Sequence, residues 1–295
     1  MLTIKKNIYC RHISYRPQIE INRVNRRVYM SASTIANPKT SPHRYLNQEQ
    51  IDDFNINGFV SIGKIITDEL LETLRNEYDQ LFCEAKESGN FRNLSIDDTE
   101  DLNAKVNADE QMLQIMQMSE RSIHFRELLY HEVILDIAED LIGPNIQLFH
   151  DQALFKPAQH GGSVFWHQDN AYWQCVPAKL VSCWLTLDDV DVTNGAMHLL
   201  AQSHLKPANH VLTKETGNLL DIGHNVDKHK ATIVDLPAGG VLFHHCQTLH
   251  YTPPNNTNRQ RRAFAIHFMP PGTRRPQSNE PLDVSFSRPL LRMRA

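Results

Sequence analysis

No stretch of this chain approaches the roughly 18 to 20 continuous apolar residues of a membrane span, and its first thirty residues lack the apolar core of a secretory signal. The sequence thus predicts a chain that neither crosses a membrane nor leaves the cell. Its five cysteines (Cys10, Cys83, Cys175, Cys183, Cys246) contain no C-x-x-C pair and are odd in number, which argues against a disulfide framework or a thiolate zinc site and for reduced thiols. There is no Gly-rich phosphate loop; the close pairs Gly161-Gly162 and Gly239-Gly240 read as turns. Ser203, in Leu200-Ala201-Gln202-Ser203-His204, lacks the flanking glycines of a nucleophile elbow, so serine hydrolase chemistry is not expected. Nor does the body carry a basic stripe, which removes the electrostatic footprint of a nucleic-acid binder.

What the chain does have is enough apolar residue, 41% of 295, to bury a full core. Charge is spread unevenly. Residues 1–45 hold nine basic residues against the single acid Glu20, while the remainder is acidic within a net charge of −4. This divides the chain into a basic, flexible extension over 1–45 and one domain over 46–295. The extension has the composition of an organellar targeting segment, and equally that of a plain tail or of translation begun upstream of Met30. The expected location is intracellular: cytoplasmic, or mitochondrial or otherwise organellar if the extension is a targeting signal.

Asn47, with Gln50 three residues on, carries the signature of a capping box before a short helix with Ile51 and Phe54 as its apolar positions, ended by Asn57-Gly58. Phe59-Val60-Ser61-Ile62 reads as a strand. Thr67 caps a second helix, with Asp68 and Glu69 in its first turn and Leu70, Leu71, Leu74, Tyr78, Leu81 and Phe82 at helical spacing. The acidic, Asn-rich run 88–109 reads as a surface loop, and 122–142 as a further helical pattern stopped by Gly143-Pro144. Beyond Asn145 come short β-type runs at 146–156, 163–168, 180–187, 195–200, 231–236, 241–246 and 261–269, with turn residues between them. The fold expected is mainly β with flanking helices: a double-stranded β-helix, or cupin-like jelly roll, with the N-terminal helices packed on it. Residues 207–230 fit none of these elements and read as a variable loop or lid.

The chemistry centres on Phe165-Trp166-His167-Gln168-Asp169, because a strand edge carrying His-x-Asp can supply two of the three ligands of a mononuclear iron site. With 16 histidines in the chain, composition alone yields about one such triplet, so its weight depends on a third ligand. His250 is the best candidate. His244 and His245 compete, but as neighbours on a strand they point to opposite faces. Beyond His250, Arg261, Ala263, Ala265 and His267 share one strand face, and Arg262, Phe264, Ile266 and Phe268 share the other. The first face surrounds one guanidinium with small residues and so can admit a carboxylate-bearing co-substrate. By the same alternation Ser182, Trp184 and Thr186 make a polar face opposite Val181, Cys183, Leu185 and Leu187.

Taken together, several fragments give the chain a resemblance to the phytanoyl-CoA dioxygenase family of iron(II)- and 2-oxoglutarate-dependent oxygenases. They are Gln50 to Val60, Phe155-Lys156-Pro157, Trp166-His167-Gln168-Asp169, Cys183-Trp184-Leu185-Thr186-Leu187, Asn194-Gly195-Ala196-Met197, and His250-Tyr251-Thr252 with Asn255, Thr257 and Arg261. They cover residues 47–270 in the family's order. The resemblance implies Fe(II) ligation by His167, Asp169 and His250, with Arg261 and Thr252 taking the distal carboxylate of 2-oxoglutarate and Gln168, Trp184 and Gln152 lining its pocket. It also implies O2 as oxidant with release of succinate and CO2, and it favours hydroxylation of an unactivated C–H bond over halogenation, since halogenating relatives have a small residue where this chain has Asp169; desaturation and ring formation stay open. One departure is Ala201-Gln202-Ser203-His204, where many relatives have Pro-Gly-Ser/Thr-His; the turn is still expected to form.

Tyr172, Trp173 and Trp166 bracket the motif and are candidate substrate contacts, suited to apolar or ring-bearing molecules. The partner expected is a small or lipid-like metabolite and not an acyl-CoA, whose phosphates would want basic groups that the acidic body offers sparingly. The competing class is a non-catalytic metal- or ligand-binding jelly roll, for which an arginine placed for a dicarboxylate has no use. A zinc hydrolase on the same triad is a further alternative.

Overall fold

The computed structural model describes residues 44–96, 99–212, 219–222 and 226–294, so the extension and the targeting reading placed on it lie almost wholly outside the described residues. Asn47 accepts the Gln50 N–H at 2.8 Å while the Gln50 side chain accepts the Asn47 N–H at 3.0 Å; this capping box opens α1 (Gln48–Asn57). Gly58, at φ +87°, ends it in the left-handed conformation, and β1 (Phe59–Lys64) follows. Thr67 caps α2 (Asp68–Ser88), which buries Leu71, Leu74, Tyr78, Phe82 and Ala85 along one face. Then come β2 (Arg92–Asn93), α3 (Leu102–Asn107), β3 (Leu113–Met116), α4 (Ile123–Leu128) and α5 (Glu132–Ile142).

The β-rich half consists of β4 (Ile146–Lys156), β5 (Val164–His167), a short helix α6 (Asp169–Trp173), β6 (Val181–Thr186), β7 (Met197–Leu200), β8 (Val211–Leu212), β9 (Leu220–Asp221), β10 (Ala231–Val234), β11 (Gly240–His245), β12 (His250–Thr252), β13 (Arg261–Met269) and β14 (Leu290–Arg292). The larger sheet runs β1-β11-β6-β13-β4-β3-β2, with β14 also on β4, and the smaller runs β10-β7-β12-β5; every pairing is antiparallel. The sheets face each other through Phe59, Trp184, Leu242 and Ala265 on one side and Met197, Leu199 and Val234 on the other. The helices cover the opposite face of the larger sheet, where Tyr78, Phe82 and Phe125 meet Phe155 and Phe264. This is the expected jelly roll with helices packed on it. No helix among the described residues is long and apolar enough to cross a membrane.

Two regions of the helical half depart from expectation, and within 207–230 the pair β8–β9 forms where the sequence reads only as a loop. The run 88–109 is not a plain surface loop: it holds β2 and α3 and buries Phe91, Asn93, Leu94 and Lys105, because Asn93 accepts the N–H groups of Ser95 and Met112 and ties the segment to β3. The pattern over 122–142 is two helices. Its break falls at His131, whose extended backbone lets Phe125 and Leu128 on one helix and Ile134, Leu135 and Ile137 on the other all reach the core.

Gly58 joins this frame to the site. Its carbonyl accepts from His245 N at 2.8 Å and from Thr248 Oγ1 at 2.7 Å, and a Cβ added there would lie 2.6 Å from Thr248 Oγ1. Gly58→Ala is expected to lower stability by at least about 1–2 kcal/mol, the cost of a left-handed backbone for alanine before any crowding. Gly63→Ala, where an added Cβ meets nothing, should stay within about 0.5 kcal/mol of the parent. Urea denaturation reads both, and equal midpoints would remove the steric role given to Gly58.

Candidate active site

β5 and β12 pair so that His167 lies directly opposite His250, which puts both imidazoles on the same face of the small sheet. Asp169, the first residue of α6, completes the group. Its Oδ1 lies 3.6 Å from His167 Nε2 and 3.7 Å from His250 Nε2, and the three donor atoms fall within 4.8 Å of one another, close enough to share one ion. Each imidazole is turned by a backbone acceptor: His167 Nδ1 donates to Phe165 O at 2.8 Å and His250 Nδ1 to Thr248 O at 3.0 Å, leaving each Nε2 lone pair free. Burial, reinforced by His167, holds His250 well below the usual histidine range despite Asp169. Burial alone would raise the Asp169 carboxyl, but His250, His167, His244 and His267 outweigh it and hold the group well below the ordinary carboxylate range. Two imidazoles and one carboxylate are a donor set suited to a divalent cation with open positions.

The competing histidines separate as alternation requires. His244 faces the cavity, its Nδ1 3.9 Å from Asp169 Oδ2, while His245 points away and packs on His204. Neither joins the three-donor group.

Arg261, in register with Lys156 of β4, is fully buried. Its Nη1 donates to Leu154 O at 3.0 Å and its guanidinium lies 5.5 Å from the Trp184 ring, but Nε has no partner and no ion pair forms among the described residues. Burial brings its pKa down to about 10. Thr252 Oγ1, on the same cavity, is also buried without a partner. A buried cation beside an orphaned hydroxyl is electrostatically incomplete until an anion arrives, because each desolvated group costs free energy while unpaired. Lys156 Nζ donates to Thr252 O and Pro253 O, fixing the backbone that carries that hydroxyl. Gly195, at φ +107°, makes room: a Cβ there would approach Lys156 Cδ to 3.2 Å and Arg261 Nε to 3.6 Å.

The cavity enclosed by these groups measures about 240 Å³. Of the residues singled out from sequence, His167, Asp169, His250, Arg261, Thr252, Trp184, Gln152, Tyr172 and Trp173 line it. Two do not. Gln168 lies between two inward-facing ligands and points outward, donating to Ser203 O, Lys206 O and Gln247 O and accepting from Ala208 N; it anchors the 203–208 segment and is not a pocket residue. Trp166 precedes His167 on the strand and faces the other way, stacked on Tyr251 with ring centroids 5.5 Å apart. The Ala201-to-His204 turn forms as expected, with Gln202 taking the left-handed conformation at φ +65°.

Sequence reasoning missed Gln114 and Met116 of β3, His150 of β4 and the mouth residue Arg92, all of which line the cavity. The β4 residues carried a signal, since His150, Gln152 and Leu154 alternate; β3 did not, because Met112-Leu113-Gln114-Ile115-Met116 mixes apolar and polar residues without period.

Fold and site together define a jelly-roll protein with a two-histidine, one-carboxylate cluster facing a buried arginine. The sequence model of the family described as Phytanoyl-CoA dioxygenase (PhyH) matches residues 54–263, and the chain belongs to that family. Human peroxisomal phytanoyl-CoA dioxygenase is 27% identical over 244 residues, covering 78% of this chain and 70% of the human protein. Two solved structures share the fold at about a fifth identity. The non-heme alpha-ketoglutarate-dependent carbocyclase SnoK from nogalamycin biosynthesis has a TM-score of 0.68, 21% identity and coverage of 83% of this chain and 96% of its own. The epimerase SnoN, crystallised with Fe3+, alpha-ketoglutarate and nogalamycin RO, has a TM-score of 0.66, 20% identity and coverage of 83% and 98%.

Burial lowers both His150 and His245 from 6.5 to about 4. Below pH 6.5 the unfolded chain takes up protons at these imidazoles that the folded chain refuses until about pH 4. Their stability contribution is therefore complete above about pH 6.5 and is lost as the pH falls toward 4. Urea unfolding of the metal-free protein at stepped pH should show that decline, flattened in His245→Gln; a stability that rose on acidification would contradict it.

Proposed function

We propose that the protein is an Fe(II)- and 2-oxoglutarate-dependent dioxygenase that hydroxylates an unactivated C–H bond of a small or lipid-like metabolite, with residues 46–295 acting as one catalytic domain. The observation that carries this reading is the meeting, in one cavity, of the His167, Asp169 and His250 donor atoms with a buried Arg261 whose Nε is unpaired. His167 and His250 would hold Fe(II) through Nε2 and Asp169 would hold it through Oδ1. With O2, the bound iron and 2-oxoglutarate supply oxidative decarboxylation to succinate and CO2 coupled to C–H oxidation.

The chain's own part is geometry and electrostatics. Arg261 presents its planar fork to the distal carboxylate of the keto acid, and Thr252 shares that carboxylate through its otherwise unpartnered hydroxyl. Trp184, over the guanidinium, walls the co-substrate from water, and Gln152 lines the same cavity. Tyr172 and Trp173 form the substrate side, with the Tyr172 ring edge-on to His167 at 5.6 Å and Trp173 edge-on to His267 at 4.7 Å. A cavity of about 240 Å³ is small for a ligand site, which suits the keto acid and the reacting end of a compact substrate. The carboxylate at Asp169 fills the position that halide would need, which favours hydroxylation.

Arg261→Ala is expected to weaken 2-oxoglutarate binding to the anaerobic Fe(II)-loaded protein by about 10–100-fold, as loss of a charge-assisted contact implies. Arg262→Ala should leave that affinity unchanged and instead lower stability by about 1–3 kcal/mol, because Asp188 loses the side-chain bonds from Arg262 at 2.7 Å and 3.1 Å and keeps the backbone N–H of that residue at 2.8 Å and Arg75 at 3.9 Å. Calorimetry and urea denaturation separate the two, and exchanged effects would put the strand facing wrong by one residue. Asp169→Ala should abolish succinate release, measured across a panel of lipids, amino-acid derivatives and terpenoid or alkaloid compounds; full retention would sink the ligand assignment.

A further inference from the structure

A row of polar side chains crosses the inner face of four adjacent strands, β3, β4, β13 and β6, and ends on the metal-facing carboxylate. Each bond in the row has a forced direction. Ionised Asp169 can only accept, so Ser182 Oγ–H donates to its Oδ2 at 3.0 Å. With its hydrogen committed, Ser182 Oγ accepts from His267 Nδ1–H at 2.7 Å. A neutral imidazole protonated at Nδ1 keeps a lone pair on Nε2, and this accepts from Gln152 Nε2 at 3.0 Å. That orientation aims Gln152 Oε1 at the Gln114 amide, which donates to it, and Gln114 Oε1 accepts from Arg92 Nη1 at 3.4 Å.

We infer that Ser182, His267, Gln152 and Gln114 form a one-way hydrogen-bond relay that turns Asp169 so that Oδ1 alone is offered to the metal. Ser182 and His267 are positioning residues, and the inference rests on Asp169 being a metal ligand. Oδ1 lies almost equally far from the two histidine Nε2 atoms, at 3.6 Å and 3.7 Å, whereas Oδ2 is held by Ser182. The need for such a device follows from the side chain itself. The terminal torsion of aspartate is broad and roughly two-fold, so an unrestrained carboxylate can swing both oxygens toward an ion. A second carboxylate oxygen on the ion would take a position that a chelating keto acid requires. His267, Gln152 and Gln114 also line the cavity, so the relay is continuous with the cavity wall.

Co(II) titration of the full chain, followed by visible absorption, tests this without turnover. Ser182→Ala and His267→Phe should each weaken Co(II) binding by about 10–100-fold, the usual effect of removing an outer-shell partner. The double variant should be no weaker than the poorer single, since both cut the same relay, and Ser182→Thr should restore binding. The Co(II) bands of Ser182→Ala should also lose intensity as the freed oxygen raises the coordination number. Should Ser182→Ala fail to fold, Gln152→Leu cuts the relay farther out and should weaken binding in the same sense. Additive losses, or parental affinity and band intensity in both single variants, overturn the relay. Asp169→Ala keeps the two ideas apart: if it alone loses Co(II), the triad stands and the relay falls, whereas parental affinity in Asp169→Ala removes the triad itself.

Discussion

Strand β13 can occupy only one register, and the site depends on that. All nine of its residues are buried between ladders to β4 and β6, so each side chain must suit one of two incompatible surroundings. On the helix side, Phe264, Ile266 and Phe268 fill the apolar core under α2 and α4. On the other side, Ala263 and Ala265 leave space between Arg261 and His267. A slip of one residue would drive three apolar side chains into the cavity and a free guanidinium into the core. Arg262 strengthens the choice, because its fork engages Asp188 and also reaches Asp79 at 2.9 Å, whereas Arg261 meets no carboxylate among the described residues. Two adjacent arginines thus have opposite fates, one paired by folding and the other left with no carboxylate among the described residues.

From β13 the same constraint spreads sideways. β6 brings Ser182 and Trp184 to the inner face and β4 brings His150, Gln152 and Leu154, so the larger sheet carries Arg261 with its surroundings and the hydrogen-bond partners proposed for Asp169, while Thr252 comes from the smaller sheet. The smaller sheet supplies the histidines as direct cross-strand partners. Donor atoms borne on paired strands have little freedom to relax when an ion enters, and their tautomers are already set by Phe165 O and Thr248 O. Burying an unpaired cation destabilises the fold, and the surrounding apolar contacts offset that cost.

Legibility in the sequence follows the range of the interaction. The capping box at Asn47 and Gln50 and the bounds of β4 and β13 are local or periodic, and the structure has them where the sequence places them. The split between Arg261 and Arg262 was legible for the same reason. Gln168 is placed in the pocket by likeness to relatives and Trp166 by its nearness to the motif, yet alternation already forbids both: if His167 and Asp169 face inward, Gln168 between them and Trp166 before them cannot. What no local pattern encodes is which strands become neighbours. Gln114 reaches the site only because β3 adds to the edge of β4, and Ser182 meets His267 only because β6 flanks β13 in one register.

This division also explains why the chemistry is easier to read than its target. The groups proposed to hold iron and keto acid sit on strands whose period fixes their direction. The opposite wall is built from Arg92 and Leu94, from β3, from Tyr172 and Trp173 after the Asp169 turn, and from Leu219, which are short elements and connections set by long-range contacts. Tyr172 is itself held from such a connection, its hydroxyl accepting the Leu220 N–H at 2.6 Å. Changing those segments would reshape that side of the cavity while leaving β13, the histidine pair and Arg261 in place. The row from Gln114 to Asp169 is the exception, because it starts in that changeable wall and ends on the carboxylate, so at this one seam a change in the wall also reaches the metal site.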